Sequence, residues 1–191
     1  SSHEDHLVRR VNPDGLAKPS GFSHATIATG TTVFLAGQTG MDVTTLGFGA
    51  MELRNVEKDE EAERVLNAVL DAGINFIDTS IDYGRSEELI GKYISGRRSE
   101  YFLASKCACV VGAAGASDHV HTAENIRRGG ENSLRLLNTD YLDLVQFHSS
   151  LTADEYNENG ALQEAIKLRD EGKVRFIGVT GHGLSVPEMH R

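Results

Sequence analysis

Residues 76–91, FIDTSIDYGRSEELIG, begin as an apolar strand and end as the start of a helix. The turn between them carries Asp78 directly after the strand and Tyr83 five residues later. Both side chains lose hydration free energy when they are buried, so the folded protein must either pair them or use them. A strand that leads through a polar turn into a helix is also the repeating unit of parallel α/β proteins.

The same alternation of strand and helix extends along the chain from Leu46. Five short apolar runs predict strands: LGFGAM (46–51), INFID (74–78), YFLAS (101–105), LDLVQF (142–147) and VRFIGVT (174–180). The segments between them have a helical period; in the first, Val65, Leu66, Val69 and Leu70 share one face. Strands that are apolar throughout and alternate with helices predict a parallel sheet covered by helices.

Capping residues mark the ends of the predicted helices. Ser86 and Thr122 are predicted N-caps, while Gly73 and Gly172 are placed to end the helices before them. The glycines at 129–130 weaken the middle of the helix that follows Thr122.

The first 43 residues do not share this alternation of predicted strands and helices. Residues 24–28, HATIA, and 32–37, TVFLAG, flank a turn-forming segment and predict an antiparallel β-hairpin with no intervening helix. We therefore expect two parts, a hairpin segment over 1–43 and an α/β part over 44–191.

Composition restricts the function. The formal net charge is −9 and the pI is near 5.3, which argues against nucleic acid or an anionic membrane as a partner. The sequence has no apolar run of the roughly 20 residues that a membrane span needs. The segment SSHEDHLVRR does not have the order of a secretion signal, and the two cysteines, Cys107 and Cys109, are predicted to be reduced thiols. A cytoplasmic protein is the expectation.

Reactive side chains follow four consecutive predicted strands. Asp78 ends the second strand with Tyr83 on the next turn, Lys106 ends the third, His148 follows the fourth, and Thr180 ends the fifth. Taken singly, each has an ordinary structural explanation, such as a capping aspartate or a hydrogen-bonded core histidine. Functional groups of parallel α/β proteins collect beyond the carboxyl ends of the strands. We therefore expect these side chains to lie close together at that end of the sheet.

These side-chain types suit the reduction of a carbonyl group. A tyrosine has a pKa near ~10, and a neighbouring ammonium such as Lys106 is expected to lower the pKa of Tyr83. Asp78 would keep the buried lysine charged. His148 would hydrogen-bond the carbonyl oxygen that receives the proton, so the set lacks only a hydride donor.

The motifs FIDTSIDYGRSEELIG, FLASK, SLRLLNTDYLDLVQFHS and FIGVTGHG resemble the aldo-keto reductases over about residues 44–183. The resemblance implies a (β/α)8 barrel, an NADP(H) cofactor, and a small aldehyde or ketone substrate. It also implies that Asp78, Tyr83, Lys106 and His148 are the catalytic tetrad. The implied cofactor-binding positions are Gly49, Ala50, Met51, Asp78 and Thr180. Gly181 departs from the family's usual asparagine, so it has no side chain to hold the nicotinamide carboxamide.

Length is the second departure from the family pattern. A (β/α)8 barrel needs ~250 residues, whereas 191 − 43 leaves 148. The expected fold is therefore a partial (β/α)8 TIM-type barrel of about five βα units, preceded by a short β-hairpin segment. We expect such a chain to self-associate, or to have impaired activity, because its outer strands would lack neighbours.

Residues 8–42 resemble the start of a second family, the RidA (YjgF) imine deaminases, through GFSHA and LAGQTG. This family's arginine and glutamate come from later strands that have no counterpart here, and Phe22 stands where many members have tyrosine. We therefore predict that residues 8–42 are a structural fragment and do not provide deaminase activity. A fusion, a truncated gene product or a chimera would each join the two families.

Two alternative functions stay open: a RidA-type enamine or imine deaminase, and a non-catalytic barrel remnant that binds a nucleotide or a partner.

No metal site is predicted, because His119 and His121 have no cysteine or carboxylate at zinc-site spacing in the sequence and are expected in a loop. Cys107 and Cys109 are expected to be small buried residues. Glu87 and Glu88 are expected to favour the positive end of a helix.

Overall fold

The fold is described from a computed structural model over residues 9–11, 25–27, 41–112, 119–149 and 153–180. Seven strands lie in this part of the chain: β1 (Arg9–Val11), β2 (Ala25–Ile27), β3 (Phe48–Gly49), β4 (Phe76–Asp78), β5 (Phe102–Cys107), β6 (Leu142–Phe147) and β7 (Val174–Val179). The α-helices are α1 (Asp59–Asp71), α2 (Ser86–Ile94), α3 (Ala123–Leu137), α4 (Ala153–Glu158) and α5 (Ala161–Asp170). Two 3₁₀ helices cover Ala50–Asn55 and Ser95–Glu100.

Strands β3 to β7 form one parallel sheet in sequence order. This order gives a parallel five-stranded α/β fold, part of a TIM-type barrel, as the alternating pattern and the family resemblance predict. The register places Asp78 beside Ala104, and Lys106 beside Gln146. Since all five strands run the same way, their carboxyl ends lie along one edge of the sheet.

The core lies between the sheet and the helices that cover it. On α1 the buried residues are Ala62, Leu66 and Leu70, while Val65 and Val69 are not fully buried. The largest side chains that are fully buried include Phe147, Leu66, Ile77, Leu89, Ile90, Leu103, Ile126 and Leu137. The predicted apolar runs therefore supply the core on both the strand and the helix side.

The cap predictions are right at three positions and wrong at one. The Thr122 side chain accepts a hydrogen bond from the Asn125 amide at 3.3 Å and caps α3. Gly73 and Gly172 follow α1 and α5 with φ of 79° and 77°, a conformation that favours glycine. Ser86 is already the first residue of α2, and its hydroxyl donates to the Ala50 carbonyl at 3.0 Å instead of capping the helix.

Helix α3 continues without interruption through its two central glycines. A Cβ on Gly129 would lie 3.0 Å from Ile81 Cδ1, and one on Gly130 would lie 3.0 Å from Leu168 Cδ1. The low helix propensity of these residues is therefore offset by the close packing that they permit.

In the N-terminal half, the structure differs from two strand predictions. The run 46–51 is not a strand throughout, because only Phe48–Gly49 pairs with β4, and a 3₁₀ helix begins at Ala50. Residues 25–27 do form an antiparallel strand, but their partner among the described residues is β1. Residues 32–37, the predicted second strand of the hairpin, lie outside the described residues, as do most of the residues behind the RidA resemblance.

At the amino end of the sheet, a buried carboxylate ties three strands together. Asp143 on β6 accepts hydrogen bonds from the Leu103 amide at 2.9 Å, from Arg98 at 2.5 Å and from Arg175 at 3.0 Å. Each oxygen of this buried charge is thus hydrogen-bonded. This network lies at the end of the sheet opposite the residues discussed next. In the described ranges, no helix combines the length and the apolarity needed to cross a membrane.

Candidate active site

The Asp78–Lys106 pair forms the base of the site. Asp78 ends β4 and Lys106 lies on β5, the adjacent parallel strand, so both side chains reach the same edge of the sheet. Lys106 Nζ donates to Asp78 Oδ2 at 2.7 Å and to the Thr79 carbonyl at 2.8 Å. Lys106 is only 5% exposed. A buried ammonium requires such partners to keep its charge, so the geometry agrees with the predicted pairing.

Tyr83 lies directly against this lysine. The turn after β4 is closed by a hydrogen bond from the Tyr83 amide to the Ser80 carbonyl at 3.1 Å, which brings the ring back over the sheet edge. Lys106 Nζ is 4.9 Å from the centre of the Tyr83 ring.

The sequence-based expectation for the pKa of Tyr83 is wrong in direction. Burial raises the pKa of the Tyr83 phenol above its usual value, and the opposing effect of the Lys106 ammonium does not overcome it. The expectation weighed only the charge of the lysine and left out the loss of hydration at the ring, which is the larger effect here. The phenol therefore keeps its proton at neutral pH.

His148 lies beside Tyr83. It follows β6, and its backbone amide donates to the Cys107 carbonyl at 3.2 Å, continuing the sheet's hydrogen bonding by one residue. The rings of Tyr83 and His148 are edge to face, with centres 6.1 Å apart. The structure thus brings all four predicted tetrad residues into one group.

The predicted cofactor positions line the start and the end of the sheet. Gly49 is exposed, Ala50 is fully buried, and Met51 is half-buried. The Thr180 hydroxyl donates to the Phe147 carbonyl at 3.1 Å, which fixes the end of β7 beside the residue before His148. Gly181 lies outside the described residues.

Sequence reasoning missed a second layer of polar groups behind the tetrad. Ser80 donates a hydrogen bond to Asp82, and its hydroxyl is 3.4 Å from His148 Nδ1. Cys109 Sγ is 3.2 Å from the same nitrogen. Ser80, Asp82 and Cys109 have no periodicity of their own, but all three belong to loops that follow predicted strands, which was the available signal.

Glu87 and Glu88 lie in the first turn of α2, as predicted. The burial of Glu87 is a finding of the structure, and its side chain accepts a hydrogen bond from the Ser105 hydroxyl at 2.6 Å. Burial raises the pKa of its carboxyl. Glu88 is partly exposed and paired with Arg85 at 2.8 Å.

Both cysteines are free thiols, as predicted, and both are buried. Burial raises the pKa of Cys107 strongly and that of Cys109 to about 11. Between them, Ala108 has a φ of 73°, a conformation that a residue with a Cβ rarely adopts.

The parallel βα units define part of a TIM-type barrel with polar groups at the carboxyl edge of the sheet, and comparison with known proteins identifies the family. The sequence profile of the Aldo/keto reductase family matches residues 45–189. The chain belongs to this family.

Individual relatives agree with the profile match. L-galactose dehydrogenase of Arabidopsis thaliana is 34% identical over 166 residues, which cover 78% of this chain and 48% of that protein. The aldo-keto reductase YhdN of Bacillus subtilis is 32% identical, with 80% of this chain and 48% of that protein covered. The chain spans about half the length of the curated relatives that it matches.

Solved structures show the same architecture. A putative aldo-keto reductase from Pseudomonas aeruginosa superposes with a TM-score of 0.68 at 35% identity, over 76% of this chain and 58% of that one. An aldo/keto reductase from Klebsiella pneumoniae, solved in complex with NADP and acetate, gives a TM-score of 0.59 at 29% identity, over 75% of this chain and 47% of that one.

Proposed function

We propose that this chain carries the catalytic tetrad and the nicotinamide end of an NADP(H)-dependent reductase of aldehydes or ketones. The observation that carries the proposal is the placement of Lys106, which is hydrogen-bonded to Asp78 at 2.7 Å while its ammonium lies 4.9 Å from the centre of the Tyr83 ring. A buried lysine between a carboxylate and a phenol is the arrangement that a proton-donating tyrosine requires. Membership of the aldo-keto reductase family supports the same chemistry.

Each residue has a role that follows from its surroundings. Tyr83 donates the proton to the carbonyl oxygen; its phenol, whose pKa burial raises, carries that proton at neutral pH. Lys106 stabilises the phenolate as that proton leaves, and Asp78 keeps the lysine charged. His148, across from Tyr83, orients the carbonyl oxygen between the two rings. The nicotinamide cofactor supplies the hydride when it is bound.

The described residues fit a nicotinamide cofactor at the start of the sheet. A Cβ built on Gly49 would meet no atom within 4 Å, so the backbone of the first strand end is open to a ligand. The Klebsiella pneumoniae relative, which contains NADP, supports this choice of cofactor. We assign Gly49, Ala50, Met51, Asp78 and Thr180 to its nicotinamide end, where Asp78 joins the cofactor to the tetrad.

The proposal is tested with Tyr83→Phe. NADPH-dependent turnover of a generic aldehyde should fall by at least ~100-fold, since a positioned general acid contributes about 10²–10⁴-fold. Binding of NADPH, followed by fluorescence quenching, should stay within about twofold, because the ring remains in place. Tyr93→Phe is the matched control, since Tyr93 is half-buried on α2 and its ring stacks with Lys92, away from the tetrad. Near-normal turnover in the Tyr83→Phe variant would exclude Tyr83 as the proton donor.

A further inference from the structure

Four side chains with metal-binding atoms, one of them His148 of the proposed tetrad, meet at the carboxyl edge of the sheet. They are Asp82, Cys109, His119 and His148, and one ligand atom from each lies within 4.8 Å of all the others. They come from three different loops, after β4, after β5 and after β6, with His119 placed just before α3. Asp82, Cys109 and His148 already contact one another and Ser80, so the atom that needs an explanation is the ring nitrogen of His119.

The distances indicate convergence on one point. Cys109 Sγ is 3.2 Å and Asp82 Oδ2 is 3.5 Å from the same atom, His148 Nδ1. A proton relay through histidine would engage its two ring nitrogens in turn, so this arrangement is not a nucleophile–histidine–carboxylate triad. Ligands of tetrahedral zinc, with bonds of about 2.0–2.3 Å, are about 3.3–3.6 Å from one another. Two edges of the cluster already have about this length.

His119 supplies the fourth ligand atom without having another use for it. Its Nε2 is buried and has no hydrogen-bond partner among the described residues. The ring packs at a tilt against His148, with centres 4.8 Å apart. A buried nitrogen that is left unsatisfied destabilises the folded state, and a metal ion would remove that penalty.

The loops that carry Cys109 and His119 are held together at the backbone. The side-chain amide of Asn125 on α3 donates to the carbonyls of Ala108, Cys109 and Val120 at 3.1, 3.3 and 3.0 Å. The Val120 amide also donates to the Ala108 carbonyl at 2.8 Å. The cluster is therefore positioned by the fold before any ion enters, which is what a binding site requires.

We propose that Asp82, Cys109, His119 and His148 bind one divalent transition-metal ion of the zinc class. Mg²⁺ and Ca²⁺ prefer oxygen ligands, whereas a set of one thiolate, two imidazoles and one carboxylate suits Zn²⁺ or Co²⁺. On binding, the thiol proton of Cys109 goes to solvent and the metal–sulfur bond forms. The site goes beyond the proposed reductase function and shares only His148 with it.

A cobalt titration tests the proposal on the full chain, freed of metal and kept reduced. Co²⁺ should bind with a stoichiometry of one, producing a thiolate-to-cobalt charge-transfer band and the intense visible absorption of tetrahedral cobalt. Zn²⁺ should remove both signals, and excess Mg²⁺ should not. Absence of the charge-transfer band would overturn the proposal.

Matched pairs of variants locate the ligands. Cys109→Ala should abolish the charge-transfer band, while Cys107→Ala, which removes the other buried thiol, should leave it. His119→Ala should weaken Zn²⁺ binding by at least about 100-fold in calorimetry. His121→Ala should not, because the His121 ring is hydrogen-bonded to Ser149 at 2.6 Å. If His121→Ala weakened binding as much as His119→Ala, or if the band survived Cys109→Ala, the assignment would be wrong.

Folding and function are tested separately. Asp82→Asn preserves the shape of a side chain that is only 9% exposed, so it should weaken Zn²⁺ binding while circular dichroism stays unchanged. Undiminished binding would remove Asp82 from the site. Tyr83→Phe removes the proposed proton donor but no metal ligand, and should bind Zn²⁺ like the parent chain. In the parent chain, metal binding without aldehyde turnover would count against the reductase proposal alone, and aldehyde turnover without metal binding would count against the metal site alone.

Discussion

At the scale of single residues, the central question is whether Asp78 and Lys106 act as one unit. Their hydrogen bond at 2.7 Å and the burial of the lysine mean that removing the carboxylate leaves the ammonium dependent on the Thr79 carbonyl. We predict that Asp78→Asn and Lys106→Met each reduce aldehyde turnover by about 10²-fold or more, and that the double variant is little worse than the less active single one.

The measurement is kcat/KM for all four proteins of this cycle. Asp59→Asn with Lys92→Met is the matched control, an aspartate–lysine pair nearer the surface that is also joined at 2.7 Å, and it should leave turnover unchanged. Strictly additive losses at Asp78 and Lys106 would mean that the two groups contribute through separate interactions.

Glu87 and Glu88 give a second test, because the pKa of Glu87 is raised and the pKa of its neighbour Glu88 is lowered. Burial raises the pKa of Glu87, so the folded state holds its proton to a higher pH than the unfolded chain does. The stability from this group is complete below the unfolded pKa near ~4.3 and is lost as pH rises through the folded pKa. Relative to the parent, Glu87→Gln should therefore become more stable as pH increases.

Arg85 lowers the pKa of Glu88, so the stability that this group contributes changes with pH in the opposite direction. The contribution of Glu88 is present above the unfolded pKa near ~4.3 and is lost as pH falls through the folded pKa. Relative to the parent, Glu88→Gln should thus lose stability only on the alkaline side of that window, and weakly, because the pair is exposed. Urea unfolding of the three proteins from mildly acidic to mildly alkaline pH measures both differences; parallel curves for the two variants would contradict the assignment.

At the scale of elements, the sequence predicts most of the sheet and the meeting of Asp78, Tyr83, Lys106 and His148 at its edge, and the reasons are physical. Asp78, Lys106 and His148 stand at or directly after apolar strands, and parallel strands bring such positions to one edge regardless of loop detail. Cys109 and His119 were not predicted together, because their approach depends on the loop between β5 and α3 and on the Asn125 amide, neither of which has a period. The sequence places Glu87 in the first turn of α2 but does not indicate its burial, because burial of a first-turn glutamate depends on what packs over it.

Helix packing gives a sharp prediction at Gly91. A Cβ at this position on α2 would lie 2.0 Å from the Leu136 carbonyl oxygen and 2.7 Å from the Leu137 carbonyl carbon, both backbone atoms of the facing turn of α3. Backbone cannot rotate away as a side chain does, so Gly91→Ala should destabilise the protein by at least about 3 kcal/mol despite the better helix propensity of alanine.

The control is Gly96→Ala in the following 3₁₀ helix, where an added Cβ would meet no atom within 4 Å. That change should alter the free energy of unfolding by less than about 1 kcal/mol. Thermal or urea unfolding measures the free energy of unfolding of both variants. Equal changes in the two variants would contradict the close contact between α2 and α3 at Gly91.

At the scale of the whole molecule, the outer strands determine how the chain behaves on its own. Among the described strands of the parallel sheet, β3 and β7 each have one hydrogen-bonded neighbour. Beside β7 lies a mainly apolar cavity of about 470 Å³. Its lining includes Leu162 and Ile166 of α5 and Phe176, Ile177 and Val179 of β7, together with the side chains of Arg169 and Arg175. A strand edge next to apolar surface favours association with another chain.

We therefore predict that the chain, studied alone, self-associates, and that it binds NADPH more weakly than the relatives of which it spans about half the length. Light scattering over a range of concentrations should show a rising average mass, and Ile166→Glu should lower that mass by placing a charge in the cavity wall. Gln163→Glu, an exposed change on the same helix, is the control for added charge and should have no such effect. A monomer at every concentration, with cooperative unfolding and tight NADPH binding, would contradict the prediction, because it would mean that the edge beside β7 is already covered within one chain.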